Sequence, residues 1–90
     1  MFREKLNEYM ELLHCSGKDF AKHSGISEAT VSRYKSGTRT PKANSEDMKK
    51  LCRGICAMAE KKGIDLPYKT VLQELNALAE AMPFDYEALQ

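Results

Sequence analysis

The chain has few of the residues that build sheets. Among its 90 residues are two Val, three Ile and four Thr, against nine Ala, nine Leu and five Met. β-Branched side chains fit the pleated strand, whereas small and unbranched ones favour the helix, so the composition predicts an all-α fold. No apolar run approaches the roughly 18 residues of a membrane span. The opening MFREKLNEYM is charged throughout and lacks the apolar stretch of a secretory signal. Cysteine is scarce and odd in number (Cys15, Cys52 and Cys56), which does not make a disulfide framework and suits a reducing, cytoplasmic setting. Charge of one sign is also missing. With 14 Lys+Arg and 13 Asp+Glu the net charge is +1, so the whole-chain field does not by itself announce a polyanionic partner. The length suits one domain with little room for a deep enzyme pocket. No Ser-His-Asp set, paired acidic cluster or phosphate-cradling glycine loop stands out, so neither catalysis nor a cofactor is expected.

What is present is unevenly distributed. Between Ser16 and Lys42 six cations face two anions, a local balance of +4, whereas from Glu46 onward six cations face eight anions, −2. A basic first half suits an anionic partner on one face.

Helical periodicity and caps divide the chain into five segments. Phe2, Leu6, Tyr9, Met10 and Leu13 form an amphipathic stripe reaching about His14. Ser16 offers an N-cap, Gly17 interrupts the pattern, and a short helix over Lys18–Ser24 turns Phe20 and Ala21 inward. Gly25 suits the left-handed position after it. Ser27 caps a third helix running to about Ser36, with Glu28 favourable in its first turn and Gly37 at its end. Thr38–Asn44 reads as a loop around Pro41. Ser45 then caps a long helix to about Lys62, striped with Met48, Leu51, Cys52, Ile55, Cys56 and Ala59, in which Gly54 costs about 1 kcal/mol relative to Ala and has close helix packing as its one account. Asp65 is a candidate cap for a fifth helix carrying Val71, Leu72, Leu75, Leu78, Ala79 and Met82, with Pro83 ending it.

This predicts one domain over residues 1–82 and a tail, 83–90. Within the tail, Glu87–Gln90 (EALQ) echoes Glu4–Asn7 (EKLN), as if a further helix or module began there. Val71, Leu75, Leu78 and Met82 have two uses, closing the core or forming a dimer seam. The first is the expectation.

The second and third helices, joined by a glycine-bearing turn, have the helix-turn-helix layout. Val31 and Tyr34 point back toward Phe20 and Ala21. That leaves Glu28, Ala29, Ser32 and Arg33 on the opposite face, since 28/32 and 29/33 are one turn apart. A face of short side chains with one Arg fits a major groove about 12 Å wide.

Gly17–Gly37 (GKDFAKHSGISEATVSRYKSG) followed by Thr38–Pro41 (TRTP) resembles the helix-turn-helix of phage repressors and Cro-type (Xre-type) bacterial regulators. The shared pattern is a small Ala in the first helix, a Gly four residues later, Val or Ile six beyond, and a closing Gly-x-x-x-Pro. The resemblance spans about the first two-thirds of the chain and implies a five-helix, repressor-like DNA-binding domain. It implies base-edge contacts by Ser27, Glu28, Ala29, Ser32 and Arg33, with Arg33 as a bidentate donor to guanine. It implies phosphate contacts by Lys18, Lys35, Arg39, Thr40 and Lys42.

Two departures stand out. Gly17 replaces a frequent Gln that bonds a phosphate, so Ser16 or Lys18 must compensate, and the fourth helix is longer than expected. The implied partners are double-stranded DNA and a second copy or tandem module, at the nucleoid in the cytoplasm. The alternative is the same fold used as a protein-interaction module without specific DNA binding, which the near-neutral charge, Glu28 and Gly17 favour.

Cys52 and Cys56 lie one turn apart, and Cys15 or His14 would extend a ligand set. Structural zinc takes four ligands in paired knuckles, a spacing absent here, so packing is their expected role and no metal is expected. His14 and His23 lie near helix ends, where a surface or dipole role is expected.

Overall fold

The computed structural model describes residues 1–80. They form α1 (Phe2–Leu12), α2 (Gly17–Ser24), α3 (Glu28–Ser36), α4 (Glu46–Lys61) and α5 (Tyr68–Glu80), without a strand among the described residues. Three serines set three of the helix starts. Ser16 Oγ accepts from Asp19 N at 3.1 Å, Ser27 Oγ from Thr30 N at 3.2 Å and Ser45 Oγ from Met48 N at 3.2 Å. Each satisfies a backbone donor that the helix cannot, a contribution of about 1 kcal/mol. Gly25 (φ 79°) and Gly37 (φ 83°) end α2 and α3 in the left-handed region, which glycine enters without penalty.

The boundaries differ from the sequence reading at three places. Gly17 does not interrupt α2 but opens it, because the Ser16 cap lies directly before it. α1 stops at Leu12, with Leu13 as its C-cap and His14 at φ 51° turning the chain away. Asp65 does not cap α5. Pro67 holds Leu66 out of the helical region, and the first turn closes onto Pro67 itself, whose carbonyl accepts from Val71 N at 3.1 Å. The expected stop at Pro83 and the tail 83–90 lie outside the described residues.

The principal helix contacts close a ring. α1 packs on α3, α3 on α2, α2 on α4, α4 on α5, and α5 returns to α1. Phe2, Leu6, Phe20, Val31, Leu51, Ile55, Val71 and Leu75 are fully buried inside it. Val71 and Leu75 thus close the core, and Leu78 packs against it half-buried, while Met82 lies outside the described residues. Met58 is buried on α4, while Cys56 lies at the edge of its stripe.

Gly54 has a steric reason. A Cβ there would lie 2.8 Å from Ser24 Cβ, 3.1 Å from Ser24 Cα and 3.3 Å from Phe20 Cε1, so α2 and α4 approach as closely as they do only because residue 54 has no side chain. Two polar ties hold α5 in place. Tyr9 Oη donates to Glu74 Oε1 at 2.6 Å, with Lys5 Nζ 3.7 Å from the same oxygen. Asn76 accepts from Asn44 N and donates to Asn44 Oδ1, both at 2.9 Å. The second tie fixes the end of the loop between α3 and α4.

Candidate nucleic-acid interface

α3 is held from one side and open on the other. Val31 (0% exposed) and Tyr34 (3%) anchor it to the core, and Glu28, Ala29, Ser32 and Arg33 are all exposed. Ala21, buried on α2, is small enough to let the two motif helices pack. Ser24 Oγ accepts from Ile26 N at 3.2 Å and so secures the turn between them.

Ser27 is exposed but already employed. Besides capping the helix it donates to Thr30 Oγ1 at 2.9 Å, so its hydroxyl proton is spent locally and the Thr30 hydroxyl is the freer donor of the two. Arg33 forms no ion pair with a described carboxylate. Its carbonyl accepts from Ser36 Oγ at 3.1 Å and from Arg39 N at 3.3 Å, which starts the loop on a fixed course.

A shallow groove flanks each end of α3. The groove at its N-terminus is lined by Lys18, Asp19, Ala21, Lys22, Ile26, Ser27 and Glu28. The groove at its C-terminus is lined by Tyr34, Arg39, Thr40, Pro41, Lys42, Ser45, Glu46 and Asp47. Both mix charge: Lys18 and Lys22 adjoin Asp19 and Glu28, and Arg39 and Lys42 adjoin Glu46 and Asp47. Lys18, Arg39 and Lys42 are exposed, whereas Thr40 and Lys35 are half-buried.

Lys35 runs back over the start of α2, with its Nζ 3.9 Å from where a Cβ on Gly17 would be. The Gly17 departure therefore has a local counterpart other than Ser16 or Lys18. An ammonium from α3 stands beside the position where a longer side chain was expected. Lys22 lines the N-terminal groove and was not among the expected contacts, although its place one turn after Lys18 was visible in the sequence.

The C-terminal groove is braced from beneath. Tyr34 Oη donates to Asp47 Oδ2 at 2.6 Å. Burial, that hydrogen bond and the Asp47 charge push the phenol up to about 12, against a smaller opposing pull from Arg39. α1 reaches the same end of α3: Asn7 Nδ2 donates to the Lys35 carbonyl at 3.0 Å, and Arg3 Nη1 to the Ser36 carbonyl at 3.3 Å. Nothing in the local sequence pattern pointed to these two residues, which lie 28 and 33 positions from their partners.

The remaining chemistry-bearing groups are structural in their surroundings. Cys52 is fully buried, and burial raises its thiol to about 12; burial also raises Cys15 and Cys56. His23 Nδ1 lies 2.9 Å from the Asp19 carbonyl and Nε2 lies 3.2 Å from Lys61 Nζ, which ties α2 to α4. Among the described residues no three His, Cys, Asp or Glu side chains come together as a metal site, and no helix is long and apolar enough to cross a membrane.

Comparison with protein families gives a match over residues 5–54 to the model described as a Cro/C1-type HTH DNA-binding domain. Comparison with curated proteins and with solved structures gives no match. The matched span covers most of α1, the whole motif, the loop and the first half of α4, which is more than half of the chain and includes both grooves. The all-helical described residues, with an anchored α2–α3 pair and an open α3 face, accord with that description, and the chain belongs to the Cro/C1-type helix-turn-helix DNA-binding domains.

Proposed function

We propose that the protein is a sequence-specific double-stranded DNA-binding regulator of transcription, of the bacterial or phage type, acting in the cytoplasm at the nucleoid. The observation that carries this reading is the open face of α3, where Glu28, Ala29, Ser32 and Arg33 are exposed while Val31 and Tyr34 fix the helix from behind. In this reading α3 enters the major groove. Arg33 donates to guanine O6 and N7, Glu28 accepts from a cytosine amino group or repels phosphates and so excludes wrong sequences, and Ala29 or Thr30 packs on a thymine methyl. Ser27 and Ser32 contribute shorter contacts.

Lys18 and Lys35 on one flank and Arg39, Thr40 and Lys42 on the other grip the two phosphate backbones and set the register. One such helix reaches few base edges, so the active form is a symmetric dimer or a tandem pair.

Fluorescence anisotropy with a pool of random duplexes, followed by selection of the bound fraction, tests the reading. Arg33→Ala should relax the preference at one base pair by about 1–3 kcal/mol, whereas Lys42→Ala should weaken all sequences alike. A wild type that ignores duplex DNA even at low salt would sink the proposal and favour the mixed-charge grooves as a protein-docking surface.

A further inference from the structure

Arg3 belongs to neither the helix-turn-helix nor the loop and lies outside the span matched to the family. Its side chain nevertheless crosses directly over Gly37. A Cβ on Gly37 would lie 2.6 Å from Arg3 Cδ and 3.2 Å from Arg3 Nη1, so a residue without a side chain gives the guanidinium its path. The Ser36 carbonyl takes one of its five donors. Arg3 is exposed and has no ion pair with a described carboxylate; the neighbouring Glu4 pairs with the Met1 amine. Arg3, Gly37, Thr40 and Met1 line one recess, and Thr40 also lines the groove that holds Arg39 and Lys42. A positioned guanidinium with spare donors therefore adds a cation from α1 on the Thr40 side of that mixed-charge groove.

We propose that Arg3 is a further phosphate-binding residue: with Thr40 it takes one oxygen-rich backbone phosphate in the recess over Gly37, while its bond to the Ser36 carbonyl keeps it aimed. This rests on the DNA-binding reading above. The planar fork suits the task, because one edge can hold a carbonyl while another meets a phosphate oxygen. The competing role is capping alone, a cation serving the C-terminal end of α3 without touching DNA.

Salt dependence separates the two roles, because each phosphate neutralised steepens the fall of log K with log salt by about 0.9. Anisotropy with the random-duplex pool would compare wild type with Arg3→Ala, Arg3→Gln, Arg3→Lys and Asn7→Ala, each checked for helicity by circular dichroism. The wild type should lose about 3-fold more affinity than Arg3→Ala or Arg3→Gln between about 50 and about 200 mM salt, one phosphate's worth. Arg3→Lys should restore the wild-type slope, and Asn7→Ala, which removes the neighbouring tie without removing charge, should keep it. Gln retains a donor, so Arg3→Gln against Arg3→Lys decides the matter even if the Ala variant unfolds. A wild-type slope in Arg3→Ala and Arg3→Gln overturns the proposal, as does a reduced slope in Asn7→Ala. Absence of any wild-type binding removes the DNA reading and this proposal together, an outcome distinct from both.

Discussion

Tyr34 of α3 and Asp47 of α4 are joined by a 2.6 Å hydrogen bond that closes the loop between them like a clasp. The loop residues expected to grip the phosphate backbone at this end of α3 (Arg39, Thr40 and Lys42) lie between the two. The bond joins a neutral donor to a charged acceptor, the stronger kind, and the phenol that makes it is almost wholly buried.

Tyr34→Phe should therefore cost about 1.5–3 kcal/mol in urea denaturation, with Asp47 left facing an apolar ring. It should also change the alkaline limb of the stability profile. The folded phenol is raised from its ordinary 10 to about 12, so its stabilising contribution is complete below pH 10 and lost as pH rises through 12. The wild type should lose stability across that window more steeply than Tyr34→Phe. Equal slopes would mean that neither burial nor Asp47 raises the phenol.

Ser27 permits the separation of folding from recognition. Ser27→Ala removes the cap of α3 and should cost about 1 kcal/mol in chemical denaturation. Ser27→Asp keeps a capping oxygen and adds a charge that the helix N-terminus favours, so stability should stay near wild type. The same carboxylate would face phosphates, and duplex affinity should fall. A stable Asp variant with undiminished affinity would place Ser27 away from the DNA.

Gly54→Ala is a sharp packing test because propensity and sterics oppose each other. Alanine gains about 1 kcal/mol of helix propensity in isolation. Here its methyl would meet the Ser24 backbone, which cannot rotate away, and overpacking should win by about 1–3 kcal/mol. A lowered melting temperature confirms the close approach of α2 and α4; a raised one refutes it.

The cysteines should label in two classes. Cys52 is fully enclosed and its thiol is raised to about 12, so an aromatic disulfide reagent at neutral pH should reach it only when the domain opens. Cys15 and Cys56 are half-buried and should react in the native protein. Simultaneous labelling of all three would mean that α4 is looser than its packing indicates.

Much of this architecture is legible one turn at a time. Ser16, Ser27 and Ser45 cap the helices they precede, and Gly25 and Gly37 close the helices they follow, because capping is decided by atoms within a few residues of each other. The same locality made the open face of α3 readable from the inward positions of Val31 and Tyr34. Interactions between distant segments were not readable. Gly54 pointed to close helix packing but not to its partner, which is Ser24, 30 positions away, and the ties from Arg3 and Asn7 to the end of α3 exist only once α1 has packed there. Asp65 misled for a related reason: it is a good capping residue in the abstract, but Pro67, two places on, governs where the helix can begin.

The reciprocal pair Asn44–Asn76 and the Tyr9–Glu74 bond have a consequence for what counts as the working unit. The family match ends at residue 54, yet α5 reaches back across that border twice, once to the loop and once to α1, which itself holds the end of α3. The recognition element is thus shorter than the element that keeps it rigid. A fragment cut at the family border would carry every expected base contact and still lose both ties from α5 to the loop and the helix that hold the C-terminal end of α3.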